Sequence, residues 1–337
     1  MCHQKRIYIT GMATCLKKYG EDFGDLTENL PDSMARRMDS FSLMIMQGAL
    51  TALTDAGFDN MEEQKCGAVF NTYWGPLRST ETFFLSLIRD GADNVPPSLF
   101  PSLVTNASLG KICKIFRILN STSFLIATSP LEYAVQLMKE RENQFMVIGE
   151  CDELFETNLS ACISAGVLDR DGVTFANTKT VCAGGYSAFI LQKMDTRSDY
   201  KGKVYAEVLA SANIYAPMVI NQLAPDTAAD RFVLAAERAM KEALITAEEI
   251  GGVVSFSNGC DEIEKIDKTA MIKLFGGYVE HIKIVRPKYE MGEFFGEGFS
   301  VAIKAGIELM HTVGDCAKVI MCCSYTAGNN INVTLIR

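Results

Sequence analysis

Histidine is scarce in this sequence: His3, His281 and His311 are the three among 337 residues. Any nucleophile that needs an imidazole to activate it must draw on these three. No Cys-x-x-Cys pair and no Cys/His zinc spacing occurs. The eleven cysteines are scattered singly apart from Cys322-Cys323. That pattern argues against a disulfide framework and a metal site, and for free thiols in a cytosolic protein. No apolar run is long enough to span a membrane. The start, MCHQKRIYITGMA, has no signal-peptide core, so a cytoplasmic location is expected. With a net charge of −9 there is no basic excess to attract nucleic acid or an anionic membrane. The glycine-bearing turns at Gly75, Gly184-Gly185 and Gly328 lack dinucleotide or Walker spacing, so no cofactor is expected.

What is present is strand–helix alternation. Strand patterns fall at Arg6–Ala13, Cys66–Thr72, Ser123–Thr128, Phe145–Gly149 and Tyr186–Leu191. A second set falls at Val204–Ala210, Gly252–Ser257, His281–Val285, Ala317–Cys323 and Ile331–Ile336. Helical periodicity fills most gaps, at Ser40–Ala56, Leu77–Arg89, Ala107–Phe116, Leu131–Glu140, Thr227–Leu244, Glu262–Phe275 and Gly298–Met310. This implies an α/β protein with helices covering a parallel or mixed sheet. Each half closes with two strands and a glycine-bearing link, at Gly184-Gly185 and at Ala327-Gly328. An internal duplication follows, with residues 1–195 and 196–337 as halves of one compact unit and the polar stretch Asp195–Lys203 at the join.

One turn concentrates the chemical question. Ser123–Thr128 (SFLIAT) reads as a short buried strand and Pro130–Glu140 as an amphipathic helix. Acyl-transfer enzymes set a reactive Cys or Ser at such turns, because the helix N-terminus favours a thiolate or an oxyanion. Here the turn has no cysteine. Ser129, followed by Pro130 and Glu132, reads as a helix cap in an S-x-x-E box. The alternative, a serine nucleophile, has no histidine nearby in sequence to activate it.

Several segments, taken in order, resemble the β-ketoacyl synthase branch of the thiolase superfamily. Arg36–Phe58 resembles the first long helix of ketosynthases, and Tyr73–Gly91 their Gly-Gly turn and following helix. Ser98–Ile112 resembles the F-P-x-x-x-x-N-A segment, and Val147–Leu154 (VIGECDEL) the strand ending in G-G-x-D-E. Thr326–Ile336 resembles the closing glycine-rich turn and last strand. The resemblance implies a thiolase-like fold, with duplicated βαβαβαββ halves in a layered α-β-α-β-α arrangement.

The departures carry as much as the matches. Ketosynthases use a cysteine at the strand-to-helix elbow and two histidines in the second half. The elbow falls near Ser129, Asn258 stands at the first histidine position and Glu293 at the second. Lys288, Gly292 and Gly296 keep the second motif. Asn258 can donate a hydrogen bond but carries no proton, and an ionised Glu293 would repel an oxyanion. The degenerate triad therefore predicts no catalytic residue of the ketosynthase kind.

A ketosynthase-like protein without the triad resembles the chain length factor of type II polyketide synthases. That resemblance implies an active ketosynthase as heterodimer partner, in one heterodimer or a dimer of heterodimers, and an acyl carrier protein as a further partner. It also maps a substrate-tunnel gate onto Leu77, Thr80 and Phe84, which share one helical face, with Phe83 as the neighbouring register. A plain core stripe gives the same spacing. Pro97–Phe116 is the expected dimer interface, where family members add an edge strand to the partner's sheet; a buried connection is the alternative. The chain departs from common chain length factors in lacking Gln between Ser121 and Leu131, and in being short between Gly11 and Arg36.

Three functions stay open: a chain length factor, a stand-alone acyltransferase or condensing enzyme with a displaced nucleophile, and a carrier-protein scaffold. Cys151 and Cys260 are weak nucleophile candidates, since acidic neighbours raise a thiol pKa. Arg36-Arg37 and Lys139–Arg141 are weak candidates for a carrier-protein patch. Met34, Met38, Met44, Met46 and Phe41 read as core filling.

Overall fold

The computed structural model describes residues 5–30, 35–36, 38–176, 178, 180–215, 225–296, 298–313, 319–326 and 329–337. His3, Met34, Arg37 and the Ala327-Gly328 link lie outside the described residues.

In chain order the first half contains β1 (Arg6–Lys18), α1 (Ser40–Asp55), β2 (Cys66–Thr72), α2 (Leu77–Asp90), α3 (Thr105–Phe116), β3 (Thr122–Ile126), α4 (Pro130–Glu140), β4 (Phe145–Asp152), α5 (Glu156–Ser164) and β5 (Cys182–Met194). The second half contains β6 (Ala206–Tyr215), α6 (Pro225–Ala243), β7 (Ile250–Val254), α7 (Asp261–Phe275), β8 (Lys283–Val285), α8 (Lys288–Met291), β9 (Glu293–Phe294), α9 (Phe299–Val313), β10 (Val319–Tyr325) and β11 (Asn330–Ile336). The strands and long helices expected from periodicity all occur. Three short elements carry too few residues for a periodic signal: α5, α8 and β9.

The strands form one sheet in the order β3-β2-β4-β5-β1-β6-β11-β10-β7-β8, with β9 beside β5. Counting strands within each half and leaving out the two-residue β9, the order 3-2-4-5-1 meets its mirror image, 1-5-4-2-3. The halves join where Ile7–Ile9 of β1 pair antiparallel with Ala206–Val208 of β6. β2 is parallel to β3 and β4, and β7 is parallel to β8 and β10, as their helical crossovers require. β2 and β4 are buried along their whole length, which explains why both read as continuous apolar runs.

Three apolar cores give the layers. Phe41, Ile45, Ala49 and Leu53 of α1 and Leu109 and Ile112 of α3 pack on the outer face of the first half-sheet. Ala229, Phe232 and Ala236 of α6 and Ile263 and Ile266 of α7 do the same for the second. Between the half-sheets, Leu131, Val135 and Met138 of α4 share a core with Phe299, Ile303 and Ile307 of α9. The result is the layered α-β-α-β-α arrangement of a thiolase-like fold. Phe41, Met44 and Met46 are core filling, as expected. Among the described residues, no helix is long and apolar enough to cross a membrane.

Three expectations are corrected. The SFLIAT strand is not buried: β3 is an outermost strand, paired only with β2 among the described strands, and Ile126 is 59% exposed. Pro97–Phe116 contains no strand and is buried only in its second part, at Ser108, Leu109, Ile112 and Phe116. Its first part is a 3-10 turn over Pro97–Ser102 with no buried residue, followed by α3, and the sheet edge is β3 instead. Gly184-Gly185 is not a link between strands but lies inside β5, opposite Leu16 and Lys17 of β1. A Cβ at Gly185 would come within 2.2 Å of the Cys15 carbonyl oxygen, so close backbone approach, not a turn, requires glycine there.

Candidate functional site

The loops at the C-terminal ends of β2, β4, β7 and β10 converge, as expected for ligand-bearing loops in α/β sheets. Asn258 follows β7, Glu293 opens β9, Lys288 begins α8 and Tyr325 ends β10. These four side chains are buried together.

Hydrogen bonds tie the four side chains together. Asn258 Nδ2 donates to Glu293 Oε2 at 2.7 Å and to the Tyr325 hydroxyl at 3.2 Å. Its Oδ1 accepts from the Cys260 N–H at 3.0 Å, so donor and acceptor ends of the amide are both engaged. Glu293 Oε2 also accepts from the Tyr325 hydroxyl at 2.8 Å. Glu293 Oε1 accepts from Lys288 Nζ at 2.5 Å and from the Phe294 N–H at 3.1 Å. The Lys288 ammonium lies 4.0 Å from the centre of the Tyr325 ring. Burial, with the Glu293 carboxylate next to it, pushes the Tyr325 phenol well above its usual pKa. The expected repulsion of an oxyanion by Glu293 is offset here by Lys288.

The backbone around the pair is forced. Gly292, between α8 and β9, has φ +96°, and a Cβ there would meet Ala183 Cβ at 2.8 Å. The Gly296 N–H donates to Asp152, which also accepts from Thr72 Oγ1 and the Tyr73 N–H at 2.8 Å and the Trp74 N–H at 3.0 Å. Burial still raises the Asp152 carboxyl above its ordinary pKa. One acidic side chain from β4 thus ties the turn after β2 to the Gly296 loop.

Ser129 belongs to a separate network. It is buried, and its Oγ accepts from the Glu132 N–H at 3.3 Å, the first half of the expected capping box. The elbow before it is strained: Ala127 has φ +51°, rare for a residue with a Cβ. Surrounding bonds hold it there. The Ala127 N–H donates to the Thr72 carbonyl at 3.0 Å, and its own carbonyl accepts from Asn330 Nδ2 at 2.7 Å and Thr326 Oγ1 at 3.2 Å. The Thr128 N–H donates to Asn71 Oδ1 at 3.2 Å, and Asn213 Nδ2 donates to Thr128 Oγ1 at 3.1 Å. Tyr325 and Thr326, adjacent in sequence, connect the elbow to the Asn258–Glu293 pair.

The two candidate thiols are unsuited to attack. Cys151 is fully buried, and burial, with the Asp152 and Glu153 charges, raises it far above an ordinary thiol. Burial and Glu262, whose carboxylate accepts from Cys260 Sγ at 3.1 Å, raise Cys260. Lys139 is ion-paired with Glu242, which uses one charge of the candidate basic patch. Tyr325, Asp152 and Asn330 were not legible as site residues. The only signal was a polar residue at the end of an otherwise apolar strand.

Leu77, Thr80 and Phe84 lie along α2 as the spacing predicts. No α2 residue is buried, Phe84 is 51% exposed, and the Thr80 hydroxyl donates to the Pro76 carbonyl at 3.1 Å. Phe83 and Phe84 meet edge to face at 5.6 Å, and Phe83 reaches Phe100 at 6.3 Å. Among the described residues, seven of the twelve exposed large apolar side chains fall between Phe84 and Ile126. The apolar exposure is therefore concentrated at the β3 edge, where α2, α3 and the 97–102 turn meet.

No protein-family model matches the chain. It is 24% identical over 257 residues to a 3-oxoacyl-[acyl-carrier-protein] synthase 2 of Vibrio cholerae serotype O1, covering 68% of this chain and 59% of that protein. It is also 24% identical over 269 residues to the enzyme of that name from Vibrio harveyi, covering 72% and 62%. The chain thus spans about three fifths of the length of the curated relatives it matches. A β-ketoacyl synthase from Burkholderia phymatum superposes with a TM-score of 0.78 at 16% identity, over 99% of both chains. The ishigamide ketosynthase/chain length factor superposes with a TM-score of 0.77 at 15% identity, again over 99% of both. A type II polyketide synthase acyl-carrier protein in complex with its ketosynthase gives 0.77 at 15%, over 99% of both. The fold is that of the ketosynthase structures, and the chain shares sequence with 3-oxoacyl-[acyl-carrier-protein] synthases at 24% identity.

Proposed function

We propose that this chain is a non-catalytic ketosynthase-like subunit, a chain length factor. It pairs with an active ketosynthase and shapes the tunnel of a type II polyketide synthase. The observation that carries the reading is the closed Asn258–Glu293–Lys288–Tyr325 network. Every donor of the Asn258 amide and both oxygens of Glu293 are engaged inside the protein. No free base remains to take a proton, and no imidazole remains to polarise a thioester carbonyl. Ser129 serves as a helix cap, and Cys151 and Cys260 have raised thiol pKa values.

The partner reading draws on the apolar β3 edge. An outermost strand flanked by exposed Leu119, Val104 and Phe100 is suited to be covered by another subunit. Leu77, Thr80 and Phe84 would then line a wall completed by that partner, since α2 is unburied in this chain alone. An acyl carrier protein is the partner that would deliver the growing chain. The halves 1–195 and 196–337 act as one unit in this reading, joined through β1 and β6.

The test is incubation of the purified chain with malonyl-loaded carrier protein. Intact mass should show no acyl adduct and carbon dioxide release should stay at background. Carbon dioxide release, and an acyl adduct on the ketosynthase and not on this chain, should start when the cognate ketosynthase is added, and Thr80→Phe should then shorten the product. An acyl adduct on the chain alone would favour the stand-alone enzyme.

A further inference from the structure

At the other end of the sheet, the start of β6, the end of β11 and the last turn of α9 line a half-open cavity of about 580 Å³. Ile320 lines it, five residues before Tyr325 on β10, so it lies roughly 17 Å from the Asn258–Glu293 cluster at strand rise. We propose that this cavity binds a small organic phosphate, a function beyond the subunit role above.

Charge is the first argument. Arg6, Arg197, Lys203 and Arg337 all line the cavity, in a protein whose net charge is −9. Among the described residues, Glu207 is the one carboxylate side chain in the lining, and it is bridged to Arg6 at 3.6 Å and to Arg337 at 3.1 Å. Among the described residues Arg197 has no carboxylate partner; its Nη2 donates to the Val204 carbonyl at 3.4 Å. Lys203 Nζ donates to the Tyr205 hydroxyl at 2.9 Å, and that hydroxyl donates to Asp55 Oδ2 at 2.7 Å. Lys203 is thereby held over the Tyr205 ring, 4.0 Å from its centre, with donor capacity left. Guanidinium forks and an ammonium facing one space suit a phosphate better than a singly charged group.

Shape is the second argument. The cavity is recessed and of the size that holds a nucleotide-sized molecule, which a flat docking face is not. Its other wall is apolar, from Met310, Val313 and Ile320, with the Tyr8 and Tyr205 rings beside them. A ligand with a phosphate at one end and an aromatic or aliphatic body at the other matches both walls.

Calorimetry of the full chain with ADP as the probe, and with adenosine and inorganic pyrophosphate alongside, tests this. We expect saturable one-to-one binding of ADP and no binding of adenosine. Arg197→Ala with Lys203→Ala should weaken ADP binding at least about tenfold, the value of one strong charge-assisted contact. Both residues are exposed and, among the described residues, outside every ion pair, so the variant should melt with the parent. Failure of ADP and pyrophosphate to bind at millimolar concentration would overturn the proposal. So would binding that the double variant leaves unchanged, or adenosine binding as tight as ADP.

Discussion

Lys288 Nζ sits 2.5 Å from Glu293 Oε1, and both side chains are almost wholly withdrawn from solvent. A carboxylate in that position is tolerable only with a counter-charge, and Lys288 from the preceding short helix supplies it. The pair is neutral as a unit, and Asn258 and Tyr325 close the hydrogen-bond network around it.

Breaking one side of this pair should be costly. We predict that Lys288→Met lowers stability by about 3–5 kcal/mol, the penalty for an uncompensated buried charge. Glu293→Gln should also destabilise, and the double variant should recover much of the loss. Urea unfolding of the four species reads the coupling directly. Additive losses would mean that the two side chains do not act as an ion pair.

Ser129 should behave as a cap. Ser129→Ala is expected to lower stability by about 1 kcal/mol while leaving acyl loading at background. A variant as stable as the parent would remove the capping role.

Glu150 gives a pH prediction. It is fully buried, accepts from Ser300, and burial raises its carboxyl to about 7. Its neighbour Asp152 adds repulsion. Below the ordinary carboxylate pKa both folded and unfolded states hold the proton. Between there and about 7 only the folded state keeps it, so this contribution to stability falls as pH rises. It levels off above about 7, after a loss of about 3 kcal/mol. Glu150→Gln removes that slope. The stability difference between parent and variant should therefore grow from pH 5 to pH 7 in favour of the variant, and a flat difference would contradict it.

The β3 edge supports a partner test. Ile126→Asp and Leu119→Asp place charge on exposed apolar positions, so each should change the isolated chain by less than about 0.5 kcal/mol. Each should abolish co-elution with the ketosynthase on a sizing column. Retained co-elution would move the interface elsewhere.

Much of the fold was legible because strand and helix periods are local. The long buried runs of β2 and β4 and the apolar faces of α4 and α9 declare themselves. Burial of β3 was misread because SFLIAT holds apolar residues without showing that no strand lies beyond it. That is a long-range fact. Gly184-Gly185 looked like a turn because a glycine pair has the same sequence whether it bends a chain or admits a neighbour. At the site, Asn258, Glu293 and Lys288 are singled out by their motifs, and the structure brings the three side chains together. Their partner Tyr325 gained meaning only when the end of β10 met α8. The cationic cavity draws Arg6, Arg197 and Arg337 from distant parts of the chain, so no window of sequence contains it.

The most direct measurement is the mass and turnover of the chain with and without the ketosynthase, by light scattering and malonyl-carrier-protein consumption on the same samples. The account predicts an inactive chain alone and a one-to-one complex that elongates only when both are present. A homodimer of this chain that consumes malonyl carrier protein unaided, and loses that activity with Ser129→Ala or Cys260→Ala, would contradict it.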